Sequence, residues 1–307
     1  MQAVIASDRT RGFAGLSLSD VPYPHAAEND VIVRVHAASF TPGELDWPGT
    51  WTDRAGLDRT PTVPGHEVSG TVVELGYGTT GLTIGQRVLG ITDWARNGTL
   101  AEYVAVEARN LAPLSADVDH TVAAALPISG LTAWQGLFDH GHLVKGQTVL
   151  IHGVAGAVGS IAAQLARACG ARVIGSGRAG RRDAALDLGV DAFVELDGSW
   201  PEVVGPVDVV LDVLGGEILD RSAQLVRPGG TLVTIAEPPR VQPAYARAVF
   251  FVVEPDREQL VILERTLREG RLRPSVGAVV PLSDAVSAFD PGKRAAGKTI
   301  IRVVDGS

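Results

Sequence analysis

The sequence predicts an α/β fold of two domains, one an all-β barrel and the other a doubly wound parallel sheet of six strands. Its length of 307 residues is more than one hydrophobic core usually organises. The chain up to about Pro113 reads as short strands separated by turn residues. From about residue 120, six apolar runs alternate with helical stretches, a pattern typical of a parallel sheet with crossover helices.

The short strands of the N-terminal part are the first elements to justify. Residues 30–35, 70–75 and 101–106 are rich in valine and other strand-forming residues, and Gly, Pro, Asp and Asn lie between them. The opening residues 1–5 also alternate as a strand does. We therefore expect this part of the chain to form the barrel and its loops.

The strands of the parallel sheet come next. Each is a short apolar run, and a helical stretch that can serve as a crossover follows most of them. The runs lie at 148–152, 171–175, 192–195, 207–213, 231–235 and 249–253.

The C-terminal part forms a helix and then returns to strands. Residues 256–269 carry leucines at helical spacing, and Gly270 stands where a helix C-cap is expected. Residues 275–282 and 298–303 are strand-like, and we expect them to rejoin the N-terminal barrel, which makes that domain discontinuous. The expected domains are 1–117 with 272–307, and 118–271.

Composition and charge narrow the classes of partner. Hydrophobic residues make up 45% and charged residues 20%, as in ordinary globular proteins. The net charge of −8 comes without a basic stripe, which argues against nucleic acid and anionic membrane as partners. No window approaches the roughly 18 to 20 consecutive apolar residues of a membrane span. The N-terminus lacks the charged and apolar regions of a secretory signal, so we expect a cytoplasmic protein.

A glycine-rich loop is the strongest local signal. The apolar run 148–152 leads into Gly153, Gly156 and Gly159, and a helical segment follows. Glycines let backbone N–H groups approach a pyrophosphate, and the helix N-terminus adds donors and a positive dipole end. Such spacing also occurs where glycines only allow close packing, but the run at 171–175 completes a βαβ unit and favours a dinucleotide site. The expected cofactor contacts are Gly153, Val154, Ala155, Gly156, Ala157, Val158 and Gly159.

The end of the second strand of this unit indicates which dinucleotide binds. NAD-binding versions place an acidic residue there for the ribose hydroxyls, whereas this chain has Ser176, Gly177 and Arg178. A carboxylate would repel the 2′-phosphate of NADPH, while a hydroxyl and a guanidinium can bind it. We therefore predict NADPH as the cofactor, with Arg181 as a further contact. The alternative is that Arg178, Arg181 and Arg182 are only solvated charges at the start of a helix.

Five motifs, in the correct order, resemble those of one known superfamily. They are PGHEVSG at 64–70, LPISGLTAW at 126–134, the glycine loop at 153–159, RPGG at 227–230 and GKTI at 297–300. The chain resembles the medium-chain dehydrogenase/reductase superfamily, and within it the zinc-independent branch of quinone oxidoreductases and enone reductases. The likeness covers nearly the whole sequence.

This resemblance implies a GroES-like N-terminal domain, a Rossmann cofactor domain and a nicotinamide ring held in the cleft between them. Thr132 matches the family threonine near the nicotinamide, and family members commonly form homodimers through their cofactor domains. Leu196 is a departure, because relatives commonly have a tyrosine there beside the 2′-phosphate. Other positions that match cofactor-lining residues of relatives are Val213, Leu214, Ala236, Phe251, Val252 and Lys298.

The zinc ligands of related alcohol dehydrogenases are missing from the sequence. The single cysteine cannot supply a multi-cysteine site, and Thr41 stands where zinc enzymes have their first cysteine ligand. His66 survives within the 64–70 motif, and we interpret it as structural or at most a substrate contact. His140 and His142 form an H-x-H pair with no apparent third ligand, which is typical of an ordinary polar loop. We therefore predict no metal.

Without a metal, the resemblance implies that NADPH reduces a small conjugated carbonyl compound, a quinone or an enone, by hydride transfer. The segment 41–51 matches the family segment that faces the nicotinamide, and Trp47 and Trp51 offer flat surfaces to such a substrate. The alternative is that both tryptophans only pack the loop. No residue stands out as a general acid. We predict Thr41, Trp47 and Thr132 as the catalytic residues, with Thr41 as a hydrogen-bond donor to the carbonyl oxygen.

Other classes with a similar sheet fit less well. Short-chain dehydrogenases need Tyr-x-x-x-Lys, but Gly141, Phe289 and Arg294 occupy the position four residues before each lysine. Methyltransferases usually need an acidic residue after the second strand, where this chain has Gly177. A non-catalytic NADPH-binding or scaffold protein of the same fold is the alternative function, which the sequence alone does not remove.

Overall fold

Two compact units make up the chain in this computed structural model, which describes residues 1–197, 199–293 and 295–304. The first unit comprises Met1–Ile128, Pro255–Glu269 and the chain from Ser275 onward. The second comprises Ser129–Glu254 and Gly270–Pro274. The domain limits expected from the sequence stay a prediction.

The strands are short, and most follow the apolar runs of the sequence. They are β1 (Gln2–Ala6), β2 (Leu16–Asp20), β3 (Asp30–Ser39), β4 (Glu67–Leu75), β5 (Arg87–Ile91), β6 (Tyr103–Glu107), β7 (Leu111–Pro113), β8 (Thr148–His152), β9 (Arg172–Gly177), β10 (Ala192–Glu195), β11 (Val207–Asp212), β12 (Val226–Thr234), β13 (Arg247–Phe250), β14 (Val276–Pro281) and β15 (Lys298–Arg302).

The helices of the described residues are distributed over both units. They are α1 (Pro48–Trp51), α2 (His120–Ala123), α3 (Pro127–Trp134), α4 (Ala157–Cys169), α5 (Arg182–Asp187), α6 (Trp200–Val204), α7 (Gly216–Ser222), α8 (Arg257–Arg268) and α9 (Ala285–Ala288).

The first unit is built on a sheet in the order β14-β15-β3-β4-β5-β7, with β6 also paired to β3. Strand β15 runs antiparallel to β3, and Ile300 lies opposite Ser39. The prediction that the C-terminal strands rejoin the N-terminal ones is therefore confirmed. Strand β3 is central because its apolar residues, such as Val31 and Ile32, are buried on both faces of the sheet.

The second unit holds the expected parallel sheet of six strands. Its order is β10-β9-β8-β11-β12-β13, and every neighbouring pair is parallel. The strand expected at 249–253 was placed too far along the chain, because β13 ends at Phe250. Its neighbour β12 ends at Thr234, which is in register with Phe250, and beyond that pair Phe251 N still donates to Thr234 O at 3.3 Å.

Helix α8 confirms the predicted helix at 256–269. The Asp256 side chain accepts a hydrogen bond from Gln259 N at 2.9 Å and caps the N-terminus. Leu260 and Leu263 are buried, and Gly270 follows with a φ of 72°, as a C-cap requires. No helix among the described residues is long and apolar enough to cross a membrane.

Candidate functional site

The carboxyl ends of β8, β9, β11 and β12 lie along one edge of the second unit's sheet, because these strands are parallel and in register. His152 pairs with Ser176, and Asp212 pairs with Thr234. Open α/β sheets bind their ligands at this edge. The structure thus brings together the predicted residues that lie at or just after these strand ends: Gly153, Ser176, Gly177, Val213, Leu214 and Ala236.

The glycine loop connects β8 to α4 through a tight turn. Gly153 has a φ of 67°, a left-handed conformation that favours glycine. A Cβ on Gly159 would lie 2.3 Å from Gly153 O, so only glycine allows the first turn of α4 to approach the loop this closely. The first N–H groups of α4 have no acceptor within the helix, and together with its dipole they fit a pyrophosphate.

Val154 has a structural role within this loop. Its backbone N–H donates to Ser176 O at 3.1 Å, and its side chain is fully buried. A Cβ on Gly175 would come within 2.6 Å of Val154 Cγ1, so the valine fills the space above β9. The backbone N–H of Val154 was predicted to contact the cofactor. In the structure this N–H instead holds the loop to the neighbouring strand β9.

Ser176 points into the interior of the second unit. Its Oγ lies 2.6 Å from Nδ1 of His152, and Nε2 of the same histidine lies 2.7 Å from Ser222 Oγ. All three side chains are fully buried. The sequence did not predict this contact, because β8, β9 and α7 contribute one residue each.

The direction of each hydrogen bond in this chain can be assigned. Ser222 donates its hydroxyl proton to Ile218 O at 2.7 Å, so His152 Nε2–H must donate to Ser222 Oγ. Burial lowers the pKa of His152 to about 3, so the ring is neutral and its Nδ1 accepts from the Ser176 hydroxyl. In this arrangement Ser176 has no proton left for a 2′-phosphate. The predicted phosphate clamp then depends on Gly177, Arg178 and Arg181.

The arginines after β9 differ in their surroundings. Arg178 and Arg181 are exposed and form no ion pair with any other described residue. Arg182 pairs with Glu195 at 3.2 Å, and its guanidinium lies 5.3 Å from the ring centroid of Phe193. The arginines at 178 and 181 therefore have charge available for a ligand, whereas Arg182 neutralises a carboxylate.

Asp212 organises the loop after β11, a role that the sequence pattern did not assign. Its carboxylate accepts hydrogen bonds from Leu214 N at 3.2 Å, Gly215 N at 3.0 Å and Thr234 Oγ1 at 2.8 Å. Burial raises the pKa of Asp212 above its ordinary value. The carboxylate thereby holds the predicted cofactor residues Val213 and Leu214 at the sheet edge.

The segment after β13 is fixed by a side chain from the region after α3. Gln135 Nε2 donates to Glu254 O at 2.8 Å, and Glu254 N donates to Gln135 Oε1 at 3.1 Å. Within this segment Phe251 is buried and Val252 is exposed. Thr132 is buried on α3 of the same unit. The second unit therefore contains every predicted cofactor residue except Lys298.

An aromatic cluster in the first unit contains the predicted residue Trp47. The Trp47 ring lies nearly parallel to that of His66 with centroids 6.3 Å apart, and it meets Trp94 edge-on at 5.4 Å. His66 and Trp94 also meet, with centroids 5.0 Å apart. Trp94 was missed because it lies in a turn region outside every motif. We define Trp47, His66 and Trp94 as the aromatic cluster.

His66 is a neutral member of this cluster. Its side chain is buried, and its Nδ1 lies 2.9 Å from Thr92 Oγ1. Burial first, and the charge of Arg59 second, lower the pKa of His66 to about 4. No group of three or more metal-ligating side chains occurs in the part of the chain that the structure describes.

Trp51 packs the loop, in agreement with the alternative interpretation of the sequence. It is buried in the apolar core of the first unit, and its Nε1–H donates to Leu45 O at 2.6 Å. Of the two tryptophans predicted to face the substrate, Trp51 is therefore a core residue, and Trp47 remains a candidate. Thr41 behaves differently, because its buried Oγ1 has no hydrogen-bond partner among the described residues. An unpaired hydroxyl of this kind is costly unless something else binds it.

A buried carboxylate fixes the predicted substrate segment. Glu44 accepts hydrogen bonds from Thr41 N at 2.9 Å and from Gly65 N at 2.7 Å, which ties the segment 41–51 to the 64–70 motif. Burial raises the pKa of Glu44 to about 7, although both hydrogen bonds lower it. Glu44 thus carries a proton for part of the time at neutral pH.

Lys298 lies in the first unit and pairs with Glu67, and its predicted contact with the cofactor stays a prediction. Its ammonium contacts a Glu67 oxygen, and both side chains are buried. Glu67 also accepts from the Ser39 hydroxyl and from Ile128 N at 2.8 Å. The prediction that Lys298 lies near the nicotinamide came from the resemblance alone. Its pairing with Glu67, which is far away in the sequence, could not be predicted from the motif at 297–300.

Comparison with known proteins identifies the family. The model of the alcohol dehydrogenase GroES-like domain matches residues 27–116, and that of the zinc-binding dehydrogenase matches residues 157–254. The 2-methylene-furan-3-one reductase of Solanum lycopersicum is 32% identical over 302 residues, which cover 93% of this chain and 75% of the relative. The chain belongs to the medium-chain dehydrogenase/reductase superfamily.

Two further proteins similar to this medium-chain dehydrogenase/reductase differ in how much of their length it covers. A solved structure of the quinone oxidoreductase from Coxiella burnetii superposes with a TM-score of 0.88 at 28% identity and covers 99% of both chains. The spectinabilin polyketide synthase system protein NorB of Streptomyces orinoci is 40% identical over 179 residues, but these make up only 8% of that protein. The full-length likenesses therefore include an enone reductase and a quinone oxidoreductase.

Acid sensitivity follows from the buried neutral histidines of this medium-chain dehydrogenase/reductase. The unfolded chain protonates His152 near its ordinary pKa of 6.5, whereas the folded protein resists protonation down to about 3. The contribution of His152 to the free energy of unfolding is therefore fully present above pH 7 and is lost as the pH drops through 6.5. For His152 alone, we expect a loss of roughly 2 kcal/mol in the free energy of unfolding at pH 5.

The measurement is chemical unfolding of the wild type and of His152→Gln between pH 8 and pH 5. The glutamine keeps a donor and an acceptor but does not titrate, so its stability should fall less steeply with decreasing pH. His25→Gln on the surface is the matched control and should follow the wild type. Equal slopes for the wild type and His152→Gln would contradict the assignment.

Proposed function

We propose that this chain is an oxidoreductase that uses NADPH, without zinc, to transfer a hydride to a small conjugated carbonyl compound, a quinone or an enone. The observation that carries the proposal is the sheet edge of the second unit. There the glycine loop and the first turn of α4 offer backbone N–H groups to an anion, and the strand that follows ends without a carboxylate. The names of the similar proteins support the two substrate classes.

The preference for NADPH is supported by charge at the end of β9. Gly177 is followed by Arg178, and both Arg178 and Arg181 are exposed and unpaired with any other described residue. The carboxylate in register with Gly177 is Glu195 on β10, and Arg182 offsets its charge. A 2′-phosphate at this point would meet net positive charge, whereas the ribose hydroxyls of NADH would find no acidic acceptor.

The proposed chemistry depends on positioning. A bound dihydronicotinamide supplies a hydride from its C4 atom. The residues of the chain orient the reactants: Thr132 holds the carboxamide of the ring, and the unpaired Thr41 hydroxyl donates to the carbonyl oxygen of the substrate. His66 is neutral at pH 7, so a protonated imidazole at this position is not the proton donor. Trp47 and Trp94 offer indole surface to a flat substrate.

A homodimer through the cofactor unit is also part of the proposal. Strand β13 lies at the edge of the parallel sheet, so its outer side has backbone groups without a strand partner among the described residues. Phe250 in this strand is 39% exposed and Val252 beyond it is 61% exposed. A second copy that pairs with β13 around a two-fold axis would cover both.

Cofactor choice is the first test. NADPH should bind more tightly than NADH by about 1 to 3 kcal/mol, the range of a charge-assisted hydrogen bond. Arg178→Ala should weaken NADPH binding and leave NADH binding nearly unchanged, as measured by fluorescence titration. Arg172→Ala, which removes an exposed arginine from the opposite end of β9, is the control. Equal affinity of the wild type for both cofactors would overturn the assignment.

Metal independence is the second test. Because Thr41 occupies a zinc-ligand position and threonine is a poor zinc ligand, treatment with a chelator should leave the activity unchanged. Elemental analysis should find no stoichiometric zinc in the purified protein. One bound zinc ion per chain, or loss of activity that zinc restores, would show that the interpretation of Thr41 is wrong.

The oligomeric state is the third test. Light scattering should give twice the chain mass of 32.1 kDa. Phe250→Lys on the edge strand should shift the protein to the monomer, because two buried charges would face each other across the axis. Val261→Lys, an exposed valine on α8, is the matched control and should stay dimeric. A monomeric wild type would refute the dimer and leave the catalytic proposal intact.

Steady-state kinetics on residues of each unit is the fourth test. Trp47→Ala should raise KM for quinones or enones by about three- to tenfold at unchanged NADPH affinity, because aromatic surface binds substrate and transition state alike. Thr132→Val should lower kcat by about tenfold or more, because a misplaced nicotinamide ring degrades the hydride geometry. The control is Tyr77→Ala, an exposed aromatic residue of the first unit.

The outcomes separate the roles of these residues. If Trp47→Ala affects no tested substrate, the tryptophan only packs the aromatic cluster. If the wild type binds NADPH but turns over no member of a panel of quinones and enones, the chain is a cofactor-binding protein of this superfamily and the enzymatic proposal fails.

A further inference from the structure

A polar cavity of about 480 Å³ lies within the first unit. Three strands contribute polar residues to its walls: His36 from β3, Arg87 from β5 and Arg302 from β15. The segment 116–121, which includes the start of α2, lines the remaining side. The cavity shares no lining residue with the aromatic cluster, with the segment 41–51 or with the sheet edge of the second unit. Its chemistry is therefore separate from the proposed reaction.

Arg87 is held rigidly in the wall of this cavity. Its Nε–H donates to His120 Nε2 at 3.1 Å, and its two terminal nitrogens donate to Ser115 O and Val118 O at 2.6 Å each. A guanidinium has five N–H groups, so two remain for a ligand. All three acceptors are neutral, and Arg87 forms no ion pair with the described residues. Its positive charge is therefore not balanced by a direct partner.

Arg302 supplies a second charge at the cavity. It is the last residue of β15, it is exposed, and it too forms no ion pair in the described part of the chain. The carboxylates of Asp117 and Asp119 also line the cavity, and both accept hydrogen bonds. Asp117 accepts from Arg268 at 3.1 Å, and Asp119 accepts from Thr121 N at 2.7 Å as the N-cap of α2.

Two stacked histidines form the rest of the wall. The rings of His36 and His120 lie 4.2 Å apart at an angle of 23°. Because Arg87 donates to His120 Nε2, the proton of this ring is on Nδ1, which donates to Ser69 Oγ at 2.7 Å. His36 Nε2 lies 3.3 Å from Thr71 Oγ1. Both rings are therefore hydrogen-bonded, one above the other, and that of His120 is neutral.

Charge around the histidines is predominantly positive. Burial lowers the pKa of His36, and the neighbouring charges of Arg34 and Arg87 lower it further. Burial, His36 and Arg87 lower the pKa of His120 to about 3, and only Asp119 acts in the opposite direction. An anion in the cavity would offset this repulsion, so its binding should favour protonation of His36.

We propose that this cavity binds a small dicarboxylate, with one carboxylate on the fixed guanidinium of Arg87 and the other on Arg302. Planar carboxylates match the fork of a guanidinium, and two charges on the ligand match the two unpaired arginines. The volume accommodates a diacid of a few carbon atoms with its water. Protonation of His36 on binding adds a third favourable charge at acidic pH.

Calorimetric titration of the full chain with succinate tests the proposal. We expect saturable binding of one succinate per chain, tighter at pH 6 than at pH 8 by at least about threefold, at constant ionic strength. Succinamide, which has the same length but no charge, should not bind, and acetate should bind more weakly than succinate. No saturable heat with succinate at pH 6, or equal affinity for acetate, would overturn the proposal.

Matched variants locate the binding. Arg302→Gln should weaken succinate binding by about tenfold, because one charge-assisted hydrogen bond is lost from an exposed side chain that the fold does not need. His36→Gln should remove the difference between pH 6 and pH 8. Arg109→Gln, an exposed arginine of the same unit outside the cavity, is the control and should bind as the wild type does. Equal weakening by Arg109→Gln would show unspecific attraction and refute the site.

Discussion

The close approach of two backbone segments in the turn between β8 and α4 is the constraint on which the second unit depends. Gly153 turns the chain with a positive φ, and Gly159 lets the first turn of α4 pass over it with no room for a side chain. This contact aims the N-terminus of α4 at the carboxyl edge of the sheet. It also brings Val154 against β9, so that the glycine loop, α4 and β9 are packed together.

Buried polar groups then join elements that are distant in the sequence. In the second unit, His152 bridges the ends of β8 and β9 to α7, and Asp212 fixes the loop after β11. In the first unit, Glu67 binds Lys298, Ser39 and the start of α3. Each group is costly to bury alone, so each stabilises the fold only when all of its partners are in place. These groups therefore specify how the strand ends are arranged.

The need to pair buried polar groups separates side chains that are engaged within the protein from side chains that can bind a ligand. Ser176, Val154 and Lys298 have their hydrogen-bonding groups engaged inside the protein. Arg178 and Arg181 at one unit, and Arg302 at the other, carry charges that no described residue balances. The Thr41 hydroxyl is buried, where a folded protein usually pairs such a group, whereas the exposed arginines are accessible to a ligand as well as to water.

The sequence by itself determined the elements and their order. Apolar runs such as 148–152 and 192–195 coincide with observed strands, because periodic hydrophobicity reports which faces are buried. The glycine loop was readable for the same reason, since its requirement is local. The C-terminal strands were expected to rejoin the barrel and do so through β15 and β3. The strand expected at 249–253 lies at Arg247–Phe250, beside the end of β12 at Thr234.

Only the tertiary structure decided which side chains are available. Ser176 was expected to bind phosphate, but its hydroxyl is committed to a histidine on another strand. Trp51 belongs to the core while Trp47 joins Trp94, a residue outside every motif. The cavity around His36 and Arg87 collects side chains from three strands and one loop. Hydrogen bonds and ring contacts of this kind join residues far apart in the chain, and no local pattern of residue types encodes which distant partner will meet them.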